Sequence, residues 1–113
     1  MLPREHRLVS SEGFRQATRH GRRSAASSLV VHLWDPGTDE GPASVGFVVS
    51  KAVGNAVQRN RVKRRLRHLV REHVTSLPGS AVLVIRCLPG AAEASYAELR
   101  RDLDRALSRV GAA

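Results

Sequence analysis

The chain has 113 residues, with 19 Lys and Arg against 10 Asp and Glu, a net charge of +9. That length suits one domain with a modest core, and so basic a balance disfavours acidic small molecules as the main partner and favours a polymer of phosphates. A lone cysteine, Cys87, excludes an internal disulfide and fits a reducing cytoplasm, while no apolar run approaches a signal core or a membrane span.

Residues 1–9 are basic and predict an extended arm. Ser11 is placed to cap a short helix through "EGFRQATRH", which Gly21 would end in a left-handed conformation. The apolar content of this helix is thin (Phe14, Ala17 and the stem of Thr18), so it needs a sheet to lie on. "RRSAA" predicts a short edge strand, and "SLVVHLW" (28–34) and "ASVGFVV" (43–49) predict two more. The segment between these two, "DPGTDEGP", is turn chemistry, which predicts a hairpin with a longer loop.

Asn55 and Gln58 form an N-cap pair that opens a helix over 56–74. Val62, Leu66, Leu69, Val70 and Val74 fall on one face at spacings of three and four. Asn60, Arg64, Arg67 and Arg71 gather opposite, with Arg61 and His68 beside them. Arg59 points off the helix start towards the preceding loop. "AVLVIRC" (81–87) predicts a central buried strand. In "SYAELRRDLDRALSRV", Ser95 and Glu98 have capping-box spacing, and Leu99, Leu103, Ala106, Leu107 and Val110 make a packing stripe. Acids and arginines balance on the rest of that helix, as on a solvated outer face.

The positive excess therefore sits on the middle helix, where six of the nine positions from Arg59 to Arg67 are basic. Like charges on neighbouring turns destabilise an isolated helix by a few tenths of a kcal/mol per pair, and only Glu72 offers nearby compensation. A bound polyanion would remove that repulsion; DNA and RNA both qualify. Nothing reactive accompanies the charge. His6, His20, His32, His68 and His73 make no zinc-ligand spacing with Cys87, and the predicted strands hold no carboxylates for a two-metal nuclease. No catalytic residue and no protein metal site is assigned, so a nuclease role would have to borrow its active site.

"SKAVGNAVQRNRVKRRLR", Ser50 to Arg67, resembles the signature of the bacterial ribonuclease P protein subunit family, and the likeness extends over about residues 4–110. The resemblance implies an α+β fold: a single RNA-binding domain over 1–113, a ribosomal-protein-like α/β sandwich in the order αβββαβα, with a four-stranded mixed sheet and a left-handed crossover helix. It implies a cytoplasmic ribonucleoprotein, one protein to one catalytic RNA, that removes the 5′ leader of precursor tRNA. The RNA subunit would do the chemistry with Mg²⁺, bound mainly by that RNA. By position, Lys51, Arg59, Asn60, Arg61, Lys63, Arg64, Arg67 and His68 would face the catalytic RNA. Phe14, Thr18, His32 and Ser50 would line the cleft for the single-stranded leader. Thr18 stands where the family often has an aromatic, His32 where it often has Tyr, and Ala52 where a basic residue is common, so stacking in this cleft is expected to be reduced.

A structural protein of similar fold that binds ribosomal RNA is the second reading. A DNA-binding regulator is the third, weakened because Asn60 and Gln58 are the only base-reading amides on the basic helix.

Overall fold

The computed structural model describes residues 2–111. The elements are α1 (Ser11–His20), β1 (Arg22–Ala25), β2 (Leu29–Trp34), β3 (Ser44–Val48), α2 (Ala56–Val70), β4 (Val82–Cys87) and α3 (Tyr96–Arg109), with short 3₁₀ turns at Arg4–His6, Val74–Ser76 and Pro89–Ala92. The strands form one mixed sheet in the order β1-β2-β4-β3. α1 lies on one face; α2 and α3 cover the other, where the main core joins both helices to Leu29, Val31, Leu33, Val45, Leu83 and Ile85.

The expected hairpin between β2 and β3 does not form. β4 lies between them, antiparallel to β2 (Leu29 opposite Cys87, Trp34 opposite Val82) and parallel to β3 (Ser44 beside Val82, Val48 beside Arg86). The reason is burial: five of the six β4 residues are buried, and a strand apolar on both faces belongs at the centre of a sheet. The true hairpin joins β1 to β2, closed by Ala26 N–H donating to the Leu29 carbonyl at 2.8 Å. The turn-rich loop after β2 is instead fastened to the one before β4, where Ser80 Oγ accepts from Glu40 N–H at 3.0 Å.

The cap of α1 lies one residue earlier than expected. Ser10, in extended conformation, accepts from Gly13 N–H, and Ser11 is already helical. Gly21 does follow the helix, but its φ of −76° is extended rather than left-handed. Glycine is needed there because a Cβ would collide with the carbonyl oxygens of Ala17 and Leu33, where α1 runs directly onto β2.

Both longer helices open with full capping boxes, Asn55 with Gln58 and Ser95 with Glu98. α2 is shorter than expected. It ends at Val70, the chain turns at Arg71–His73, and Val74 reaches the core from the following 3₁₀ turn. His73 is thus off the helix, its Nε2 2.8 Å from Asp104 Oδ1 on α3. On α3 the stripe of Leu99, Leu103, Ala106, Leu107 and Val110 is buried as expected. Asp102 is a correction: it is buried too, and its carboxylate accepts from the Ser28 hydroxyl at 2.6 Å and the Ser28 N–H at 3.1 Å.

The arm is not simply extended. Leu2 is fully buried in the main core, a 3₁₀ turn follows, and Leu8 N–H donates to the Val45 carbonyl at 2.9 Å. The arm so covers the free edge of β3, which would otherwise present unpaired backbone groups. Among the described residues no helix is long and apolar enough to cross a membrane.

Candidate nucleic-acid interface

Four aliphatic residues, Val62, Leu66, Leu69 and Val70, pin α2 to the sheet. That anchoring fixes what the other side presents: Asn60, Arg61, Arg64, Arg67, His68 and Arg71 are all exposed. Among the described residues, no ion pair involves an α2 cation. Glu72, the acid best placed to offset the ridge, instead accepts from Arg100 on α3 at 3.1 Å. Arg65 leaves the ridge and donates to the Ala94 carbonyl at 3.4 Å. Arg59 is half-buried, with an enclosed Nε that meets no acceptor among the described residues. His68 faces Tyr96 with ring centroids 6.2 Å apart and planes tilted by 50°.

At the β3 edge the arm, α1 and α2 enclose a pocket of about 240 Å³ lined by Arg7, Leu8, Phe14, Phe47, Lys63 and Arg67. Phe14 reaches it because Gly46 gives its ring room; a Cβ at residue 46 would overlap the ring. The residues expected for the leader therefore do not stay apart from those expected for the catalytic RNA: Phe14 shares one pocket with Lys63 and Arg67. The arrangement offers aromatic surface and three cations, Arg7, Lys63 and Arg67, to one nucleotide-sized group.

The other cleft residues are distributed differently. Thr18 is exposed, but its hydroxyl turns back to the carbonyls of Phe14 at 3.0 Å and Arg15 at 3.1 Å. Ser50 and Lys51 are exposed in the turn that follows β3. His32 is buried in β2, and neither ring nitrogen has a hydrogen-bond partner. Gly46, Val84, His32 and Arg23 are in register across all four strands, so His32 lies two strands away from the seat of Phe14. Burial pushes the His32 pKa below its usual value, and the nearby Arg86 and Arg23 add to the shift. The imidazole is neutral at pH 7.

Four residues beside the candidate site were not singled out from sequence: Arg7 and Phe47 in the pocket, and Arg23 and Arg86 near His32. Phe47 was visible as an aromatic one step from Gly46 in an alternating strand. Arg86 was hidden inside an apolar run, and Arg7 and Arg23 gave no local signal that separates them from the other arginines.

The ribonuclease P family model matches residues 2–111. The chain is 65% identical over 114 positions to the ribonuclease P protein component of Nocardioides sp., covering 99% of this chain and 97% of that protein. It is 52% identical to the component from Streptomyces avermitilis, covering 97% and 95%. The solved RNase P protein of Staphylococcus aureus superposes with a TM-score of 0.84 at 21% identity, over 95% of this chain and 96% of that one, a likeness of fold.

Proposed function

The chain belongs to the ribonuclease P protein family, and from that premise we propose that it is the protein cofactor of a ribonucleoprotein that removes the 5′ leader of precursor tRNA. In this reading a single RNA-binding domain joins one catalytic RNA, which makes the cut. Lys51, Asn60, Arg61, Lys63, Arg64, Arg67 and His68 face that RNA, with Arg59 at its margin. Phe14, Thr18, His32 and Ser50 belong to the path of the leader.

The observation that carries the reading is the α2 ridge, which is exposed, cationic and unopposed by any carboxylate on its own helix. If about six of its cations meet phosphates, affinity falls roughly a thousandfold between 50 and 200 mM salt on duplex slopes. The protein's contribution is electrostatic and positional: it lowers the repulsion between two polyanions and aligns the substrate by its leader. Among the described residues no three carboxylate, imidazole or thiol groups stand together as metal ligands. In this reading the Mg²⁺ is held mainly by the RNA.

Reconstitution tests it. The chain alone is expected to leave precursor tRNA intact; with the cognate RNA it is expected to give mature 5′ ends at a lower Mg²⁺ concentration than the RNA needs by itself. Cleavage by the protein alone, or co-sedimentation with ribosomal subunits and no effect on tRNA maturation, contradicts it.

A further inference from the structure

α2 and α3 run side by side in the same sense, and polar contacts stitch the seam between them. Arg65 donates to the Ala94 carbonyl, Arg100 donates to Glu72 at 3.1 Å, and His73 meets Asp104 at 2.8 Å. Between the first and second of these contacts the seam holds two rings instead, His68 and Tyr96, with centroids 6.2 Å apart and planes tilted by 50°. Rings at that angle do not stack flat on each other, and both side chains are exposed. Among the described residues, Tyr96 is the one aromatic in the set of exposed large apolar side chains.

The place of this ring is specific. At about 100° per residue, Arg65 and Arg67 leave α2 on nearly opposite sides. Arg67 lines the Phe14 pocket at the β3 edge, whereas Arg65 turns to α3. The exposed line of Arg61, Arg64 and His68 runs between them, so Tyr96 borders the ridge on the flank away from the pocket. The two flanks belong to different layers: Phe14 comes from α1 on one face of the sheet, and Tyr96 from α3 on the other.

The cations and the ring suit different parts of an RNA. Guanidinium groups bind phosphate wherever the backbone runs, which gives affinity without register. A phenol ring carries no charge and takes the face of a base. In paired A-form RNA the base faces are already stacked and the deep major groove shuts side chains out. An exposed ring beside a phosphate-binding ridge therefore fits an unpaired, splayed base. Two acids near the ring are already engaged: Glu72 pairs with Arg100, and Glu98 accepts from Ser95 N–H in the capping box.

We propose that Tyr96, with His68 beside it, is a stacking platform for one unpaired base of the catalytic RNA, so that the RNA interface continues from α2 onto the start of α3. This rests on the reading that the α2 ridge faces that RNA, and deepens it: the ridge supplies attraction, and the platform fixes where along the RNA the ridge sits. Because Tyr96 stands on the face of the sheet opposite α1, its base belongs to the catalytic RNA and not to a leader at Phe14.

The test measures binding of the full chain to the cognate catalytic RNA, without precursor tRNA, over a range of salt concentrations. Tyr96→Ala is expected to weaken binding by about 5- to 140-fold, the range of one base–aromatic stack. The log–log salt slope stays that of the parent, since a stack releases no counterions. Tyr96→Phe keeps the ring and is expected to bind as the parent does. Tyr96→Leu keeps apolar cover over the seam without a ring face; it is expected to bind as weakly as Tyr96→Ala, and it carries the test if the alanine variant folds poorly. Unchanged affinity in Tyr96→Ala, affinity restored by Tyr96→Leu, or a slope lowered as in Arg64→Ala overturns the platform. Arg64→Ala separates the failures: if it lowers the slope while Tyr96→Ala binds like the parent, the platform alone is wrong; if neither variant changes binding, the ridge reading falls with it.

Discussion

The ring of Phe14 fills the space that a side chain at residue 46 would occupy, so Gly46 is the seat of the aromatic in the edge pocket. The pairing links a backbone requirement in β3 to a binding surface contributed by α1. Gly46→Ala forces the ring to shift. Overpacking of this kind costs about 1–3 kcal/mol, to be read from urea unfolding. The same variant is expected to lose the long-leader advantage as Phe14→Ala does, while catalytic-RNA binding holds. An unchanged stability with unchanged leader dependence counts against the seat.

Asp102 holds the start of β2 from the opposite side of the sheet, taking two hydrogen bonds from Ser28. Asp102→Ala leaves a buried N–H and hydroxyl without their acceptor, a loss of about 1–3 kcal/mol. The expected result is a lower urea midpoint with unchanged RNA affinity, because the site lies away from the α2 ridge. A variant as stable as the parent contradicts this role.

His32 makes stability depend on pH with a definite sign. Its folded pKa lies below the ordinary 6.5, so the unfolded chain binds a proton there more readily than the folded one. Above 6.5 both states are neutral and the residue contributes no pH dependence. As pH falls below 6.5 the unfolded state gains the proton first, and stability drops until the folded pKa is passed. Unfolding curves for the parent and His32→Leu between pH 7.5 and 5.5 are expected to diverge, the parent losing more. Parallel curves would rule the effect out.

Burial raises the Cys87 thiol to about 11, only partly offset by Lys63. At pH 7.5 a thiol reagent is expected to label the folded protein at a small fraction of the rate seen in urea. Equal rates contradict the buried placement.

Much of this molecule could be read one segment at a time. The two capping boxes and the stripes Val62–Leu66–Leu69 and Leu99–Leu103–Ala106 depend on neighbours within a turn or two, and the structure has them as expected. What failed was non-local. Turn chemistry after Trp34 suggested a hairpin, but strand partners are chosen by where burial is greatest, and β4 arrives from 48 residues downstream of Trp34 to take the centre. The same limit hid Asp102, whose partner Ser28 is 74 positions away, and the arm, whose Leu2 finds the core only once β3 has an edge to cover. For the interface, the ridge of α2 was legible from helical periodicity. The meeting of Phe14 with Lys63 and Arg67 was not, because it needs three elements folded around one strand edge.

The most direct test of the ridge is the salt dependence of binding to the cognate catalytic RNA for the parent, Arg64→Ala and Arg65→Ala. Arg64 is solvent-facing and unpaired, whereas Arg65 is turned to the Ala94 carbonyl. Arg64→Ala is predicted to weaken binding and reduce the log–log slope by about 0.9, with stability within about 0.5 kcal/mol of the parent. Arg65→Ala is predicted to leave the slope nearly unchanged. Slopes that are equal for the parent and Arg64→Ala, or a slope lost with Arg65→Ala instead, would contradict an RNA contact made by the exposed face of α2.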